Sequence, residues 1–161
     1  MRQEVDVNLA PSRSLAEAVR LCRDNANFLA SLLHLYGRAD AELAGTGVVC
    51  LAGGACCKFD LTEHRLYVST GELALLSTIP PPRPKRCLRQ RCPWQIGPRC
   101  NARNNRPLGC RTFFCDKRQK DFRDDLYERT YREIRSLHQR HCLPYAYIEL
   151  AAALLQLTQE S

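Results

Sequence analysis

The chain has 161 residues, of which 45% are hydrophobic, and its formal net charge at pH 7 is +7. A chain of this length can bury a hydrophobic core of its own, so it does not need disulfides in order to fold. The sequence has no run of about 18 apolar residues that would predict a transmembrane helix, and its first residues lack the pattern of a secretory signal peptide. We therefore expect a soluble, cytoplasmic protein with no membrane partner.

The first predicted element is an amphipathic helix within residues 14–44. From Ser14 to Tyr36, apolar side chains recur at the spacing of one helical face. Ser14 and Glu17 match a capping box at the helix start, and Gly37 is the predicted stop signal.

The middle of the chain, residues 48–115, is predicted to be irregular because glycines and prolines interrupt any periodic pattern. Two short elements are expected within it. Residues 65–68 form a candidate strand, and Ser69 with Glu72 matches the capping box of a short helix that continues to Leu76.

Helical periodicity returns in residues 116–161. Six side chains fall on one predicted face: Phe122, Leu126, Thr130, Ile134, Leu137 and His141. Pro144 interrupts this pattern and suits the first turn of a last helix that ends near Leu157. The predicted fold is a small, mostly α single domain whose amphipathic helices flank an irregular, cysteine-rich metal-binding core.

The cysteines carry the clearest functional signal. The chain has ten, and eight of them fall in the middle region. These candidate metal ligands are Cys50, Cys56, Cys57, Cys87, Cys92, Cys100, Cys110 and Cys115. Cysteines clustered in a cytoplasmic protein are more often metal ligands or catalytic groups than disulfide partners. No CxxC pair occurs, and the spacing is compatible with either zinc or an iron–sulfur cluster.

Two segments of this region are similar to a known family. Residues 106–111 read RPLGCR, and residues 50–57 read CLAGGACC. Together they resemble the motifs of the bacterial CxxCxxCC family of zinc- or iron-chelating proteins, although Gly53 stands where the family has its second cysteine. The resemblance spans residues 50–115 and implies a metal cofactor rather than a particular reaction.

A cysteine-rich domain similar to this family also occurs in flagellin lysine N-methylase, where it is associated with an iron–sulfur cluster. The resemblance therefore favours an iron–sulfur cluster, with zinc as the alternative. An accessory to, or relative of, the lysine N-methylase is a further alternative. However, the chain has neither a glycine-rich loop for a methyl donor nor a radical-enzyme CxxxCxxC motif. No catalytic motif is recognised.

Positive charge is concentrated beside the cysteines. Residues 83–123 contain thirteen lysines and arginines but only two acidic residues. Arginine is well suited to support thiolates because its planar guanidinium stays charged and donates several hydrogen bonds. Arg106 and Arg111 are the predicted cofactor-supporting residues.

Two other functions compete with a redox or structural metal centre. The basic region, with Trp94, Phe113 and Phe114 for base stacking, is compatible with nucleic-acid binding. This interpretation is disfavoured because no known DNA- or RNA-reading element is recognised. The other alternative is a zinc-structured module that binds a protein partner.

Four other residues could bind a metal but are expected to have structural roles instead. Cys22 and Cys142 are expected to pack as small hydrophobic residues. His138 and His141, three residues apart, could form half of a metal site. We favour a role at the end of a helix, where a histidine interacts well with the helix dipole.

Overall fold

The structure is a computed structural model, and it describes residues 7–8, 14–50, 53–59, 65–82, 91–113 and 118–160. Most of these residues are helical, which confirms a mostly α chain with small sheets. The elements are β1 (Val7–Asn8), α1 (Leu15–Arg23), α2 (Ala26–Ala44), β2 (Tyr67–Ser69), α3 (Thr70–Ser77), β3 (Gln95–Ile96), β4 (Arg99–Cys100), α4 (Leu108–Thr112), α5 (Lys120–Arg140), β5 (Tyr145–Glu149) and α6 (Leu150–Gln159).

The N-terminal helical region is two helices rather than one. Ser14 caps α1 as predicted, because its Oγ accepts the N–H of Glu17 at 3.1 Å. The chain breaks after α1, and the side chain of Asn25 then caps α2 by accepting the N–H of Phe28 at 2.9 Å. The signal for this second start is an Asn that can take the N-cap position.

Gly37 does not end the helix, so that prediction was wrong. Helix α2 continues through it to Ala44. A glycine inside a helix costs only about 1 kcal/mol. Tyr36 and Ala39, on either side of it, are both 1% exposed, and the burial of such side chains outweighs a cost of that size.

The last helix starts later than predicted. Residues 145–149 form β5, the central strand of an antiparallel sheet with the order β1-β5-β2. Tyr67 pairs with Glu149, and Ser69 pairs with Tyr147. The prediction that a helix begins at Pro144 was therefore wrong for residues 145–149. Aromatic and β-branched residues favour the extended form when a strand pairs on each side of them.

Helix α3 begins with the predicted capping box. The Oγ of Ser69 accepts the N–H of Glu72, and a carboxylate oxygen of Glu72 accepts the N–H of Ser69 at 2.8 Å. The other carboxylate oxygen accepts the N–H of Leu108 at 2.9 Å and the hydroxyl of Tyr36 at 3.2 Å. A buried carboxylate thus connects α3 to the start of α4, the helix that carries Cys110.

Helix α5 is the long helix expected after the cysteine-rich region. Its predicted inner positions Leu126, Thr130, Ile134 and Leu137 are all buried. It packs against α2 and α4, while α1 packs mainly against α3. None of the described helices is both long enough and apolar enough to cross a bilayer.

Candidate metal centre

Six of the eight predicted ligands line one cavity of about 180 Å³. They are Cys50, Cys56, Cys57, Cys92, Cys100 and Cys110. The cavity lies between residues 49–50 and 53–57, the β3–β4 hairpin and the start of α4. Cys87 and Cys115, the two remaining predicted ligands, lie outside the described residues. None of the described cysteines forms a disulfide.

A close approach between two backbone segments shapes this cavity. Gly54 has a φ of +69°, and a Cβ built on it would lie 2.7 Å from Nε2 of Gln95 and 3.0 Å from Cα of Pro98. The same amide of Gln95 donates to the carbonyl of Gly54 at 3.0 Å. Only glycine fits here, because it tolerates a positive φ and has no Cβ. The sequence signal for this position is the Gly-Gly pair at residues 53 and 54, from which only a break in periodic structure was predicted for Gly54.

The adjacent cysteines lie on a single 3-10 turn, Ala55–Cys57. The carbonyl of Cys57 accepts the N–H of Cys92 at 2.8 Å, which ties this turn to the segment before the β3–β4 hairpin. In the hairpin, Gln95 pairs with Cys100, and Gln95 is fully buried. Residues paired across two strands share a face. Cys100 is therefore on the inner face of the hairpin.

The thiols converge without closing a single four-ligand shell. The Sγ atoms of Cys56 and Cys57 are 4.0 Å apart. Two thiolates on one tetrahedral zinc are about 3.8 Å apart, given a Zn–S bond of about 2.3 Å. However, no three histidine, cysteine, aspartate or glutamate side chains of the described residues are arranged to hold one metal ion. The cavity that the six cysteines line has a volume of about 180 Å³, which is more than a single ion fills.

The environment of four of these cysteines, Cys56, Cys57, Cys100 and Cys110, favours the protonated thiol in the metal-free chain. Burial raises the pKa of Cys100, and it raises the pKa of Cys110 well above the ordinary value. A hydrogen bond with Cys57 is the main cause of the raised pKa of Cys56. The pKa of Cys57 rises to about 12: the hydrogen bond with Cys56 lowers it, but a bond with Cys92 and burial raise it by more. Thiolate ligation here must therefore displace protons.

Arg106, the first predicted supporting residue, lines the cavity. Its positive charge lowers the pKa of Cys56, Cys100 and Cys110, so it favours the thiolate form of three candidate ligands. Its Nε is buried and has no hydrogen-bond partner in the described part of the protein. This donor is available to an anionic group in the cavity.

Arg111, the second predicted supporting residue, is not among the residues that line the cavity. Its guanidinium donates to the carbonyls of Asn104 and of Arg106, the latter at 2.9 Å. It also pairs with Asp40 at 2.5 Å and lies 4.1 Å from the ring centre of Tyr36. Arg111 therefore holds the loop that carries Arg106, rather than contacting the cavity itself.

The residues proposed for nucleic-acid stacking are not all accessible. Trp94 is 2% exposed, and its Nε1 donates to the carbonyl of Ile79 at 2.7 Å. Its ring is therefore part of the core and unavailable to a base. Phe113 is half-buried and lines the cavity, whereas Phe114 lies outside the described residues.

The four other candidates have mixed outcomes. Cys22 is buried, as predicted, whereas Cys142 is exposed, with a φ of +52° in the turn after α5, so its predicted packing was wrong. His138 is fully buried, and its Nδ1 lies 3.0 Å from the carbonyl of Pro144. His141 caps the end of α5. Neither histidine lines the cysteine cavity.

No family model, no curated protein and no solved structure matches this chain. The arrangement of its own residues is therefore the basis for a functional proposal.

Proposed function

We propose that the cysteine-lined cavity binds an iron–sulfur cluster and that the cluster has a redox or structural role. The observation that carries this proposal is the convergence of six free thiols, from four separate segments of the chain, on one cavity. Thiolates are the ligands of iron–sulfur clusters, and the irregular loops around this cavity suit such a centre.

The dimensions favour a cluster over a single ion. The cavity that six cysteines line has a volume of about 180 Å³, which is more space than a single ion fills. A cluster contains several irons bridged by sulfide, so its protein ligands attach to different atoms and need not approach one another as closely.

The polar groups around the cavity favour a closed centre over a hydrolytic one. None of the described residues that line it is acidic, whereas Arg99, Arg103 and Arg106 are all present. A catalytic zinc normally keeps an open position and has a nearby group that moves protons. Arginines instead balance the charge of several thiolates, which suits electron transfer or structural support.

A zinc-structured interaction module is the second candidate, and one distance favours it. The 4.0 Å between the Sγ atoms of Cys56 and Cys57 is close to the thiolate separation on tetrahedral zinc. In this case two of the other cysteines would complete the tetrahedral shell around the same ion when it binds.

The deciding experiment is iron, zinc and acid-labile sulfide analysis, with an absorption spectrum, of protein purified without oxygen and without added metal. We expect iron and sulfide in similar amounts and a brown protein. Zinc without sulfide would support the second candidate and refute the cluster. Absence of both metals from soluble, folded protein would refute both.

The ligand assignment needs matched variants. We expect Cys100→Ala, Cys110→Ala and Cys115→Ala each to lower metal content. Cys142→Ala removes an exposed cysteine outside the cavity and is expected to leave metal content unchanged. Equal metal content in all four variants would refute the ligand assignment.

A further inference from the structure

The mouth of the cysteine cavity is a basic surface with exposed aliphatic groups. Arg99 and Arg103 are exposed, and neither forms an ion pair with an acidic side chain in the described part of the chain. Val49 is 66% exposed and Ile96 is 52% exposed, which makes them the two most exposed large hydrophobic residues described. Val49 and both arginines line the cavity.

The β3–β4 hairpin explains how one segment serves both the cavity and this surface. Gln95 and Cys100 form one cross-strand pair, and Ile96 and Arg99 form the next. Successive residues of a strand point to opposite faces. The first pair therefore faces inward with the candidate ligand, while the second pair presents an aliphatic group beside an arginine on the outer face.

We propose that this mouth, formed by Val49, Ile96, Pro98, Arg99 and Arg103, is a docking surface for an acidic protein that exchanges electrons with the centre. The proposal rests on the proposed function. Stable contacts between proteins combine exposed apolar groups with a charged rim, and complementary charge speeds and orients the encounter. The absence of acidic side chains among the described cavity-lining residues gives the mouth one sign of charge. A partner with negative charge on its contact face is the one that this surface fits.

The same residues favour a protein over a nucleic acid. Binding of single strands depends on aromatic rings that stack on bases. Trp94 is buried in the core, and the exposed large apolar residues among the described residues of the mouth, Val49 and Ile96, are aliphatic. Aliphatic side chains match the apolar centre of a protein interface better than the face of a base.

The test measures the dissociation constant between the metal-loaded full chain and two probes, a small acidic plant-type ferredoxin and the basic protein cytochrome c. Measurements at 20 and 200 mM NaCl report the electrostatic contribution, because the Debye length falls from roughly 20 Å to about 7 Å over that range. We expect ferredoxin to bind, to bind more weakly at high salt and to bind more tightly than cytochrome c. The opposite order, or no effect of salt, would overturn the proposal.

Two double variants distinguish the effect of this surface on binding from the effect of the protein's net charge. Arg99→Glu with Arg103→Glu is expected to weaken ferredoxin binding at least tenfold. The control, Arg23→Glu with Arg140→Glu, makes the same change in net charge at exposed positions. Neither Arg23 nor Arg140 is among the residues that line the cavity. Equal effects of both double variants would overturn the proposal.

A third comparison tests the aliphatic contribution and the class of partner. Val49→Ser with Ile96→Ser leaves the charge unchanged and is expected to weaken ferredoxin binding several-fold, whereas Leu33→Ser, at a residue 42% exposed on α2, is expected to have no effect. A single-stranded RNA oligonucleotide that binds more tightly than ferredoxin, and that also depends on Arg99 and Arg103, would assign the surface to nucleic acid and overturn the proposal. Metal analysis of each sample distinguishes the outcomes. Weaker binding by the Arg99 and Arg103 variant at unchanged metal content supports the docking surface, whereas failure of the metal-loaded wild type to bind ferredoxin refutes it. Absence of metal from the wild type refutes the proposed centre instead.

Discussion

Arg111 provides the sharpest test of how the cavity is organised. Its side chain is 4% exposed, and its guanidinium joins three groups: the carboxylate of Asp40 and the carbonyls of Asn104 and Arg106. The substitution Arg111→Lys keeps the positive charge. A lysine ammonium lacks the planar fork that reaches several acceptors at once, so two of the three contacts are expected to be lost.

The expected cost follows from these contacts. A hydrogen bond that involves a charged group contributes about 1.5–3 kcal/mol, so the loss of two should lower the free energy of unfolding by about 3 kcal/mol or more. The matched control is Arg129→Lys, whose guanidinium also binds a carboxylate, that of Glu42 at 2.5 Å. There, however, both side chains are 37% exposed. Ion pairs exposed to solvent contribute about 0–1 kcal/mol, so the control should cost no more than that.

Urea unfolding of the metal-free variants, followed by circular dichroism, gives both free energies. We also expect Arg111→Lys to retain less metal than Arg129→Lys, because the loop that carries Arg106 loses two of its anchors. Equal unfolding free energies for the two variants would refute the role assigned to Arg111. Equal metal content would refute its connection to the cavity.

Three other predictions follow from individual positions. A Cβ at residue 71 would lie 2.4 Å from Cζ of Phe28 and 2.7 Å from Nε2 of His138, so Gly71→Ala should destabilise the protein by about 2 kcal/mol or more in urea unfolding. The control Gly37→Ala, with no atom within 4 Å, should stabilise it by about 0.5–1 kcal/mol. Burial lowers the pKa of His138 from 6.5 to about 4. The neutral imidazole therefore contributes fully to the free energy of unfolding above pH 6.5, and this contribution is lost as the pH falls towards 4. This contribution is about 3 kcal/mol, and stability curves of His138→Gln that match those of the wild type across this pH range would contradict it. Finally, Gly53 lines the cavity and a Cβ on it would meet no atom within 4 Å, so Gly53→Cys should slow the loss of metal to a chelator, whereas Gly53→Ser should not.

Local signals in the sequence determined several helix starts. Ser14 and the pair Ser69 and Glu72 were recognisable because a capping side chain bonds to backbone only two or three residues away. The inner face of α5 was also predictable, since helical spacing alone identifies which side chains face a core. The abundance of cysteine beside arginine indicated a metal centre, which remains a proposal.

Only the tertiary structure decided the strand at residues 145–149 and the grouping of the cysteines. That strand depends on partners at residues 7–8 and 67–69, which no local pattern reveals. The placement of the two arginines likewise depends on long-range contacts: Arg106 lines the cavity, while Arg111 binds the loop and Asp40, 71 residues away in sequence. Local bonding rules can be read along a chain, whereas the convergence of distant thiols on one cavity depends on how helices and loops pack in three dimensions.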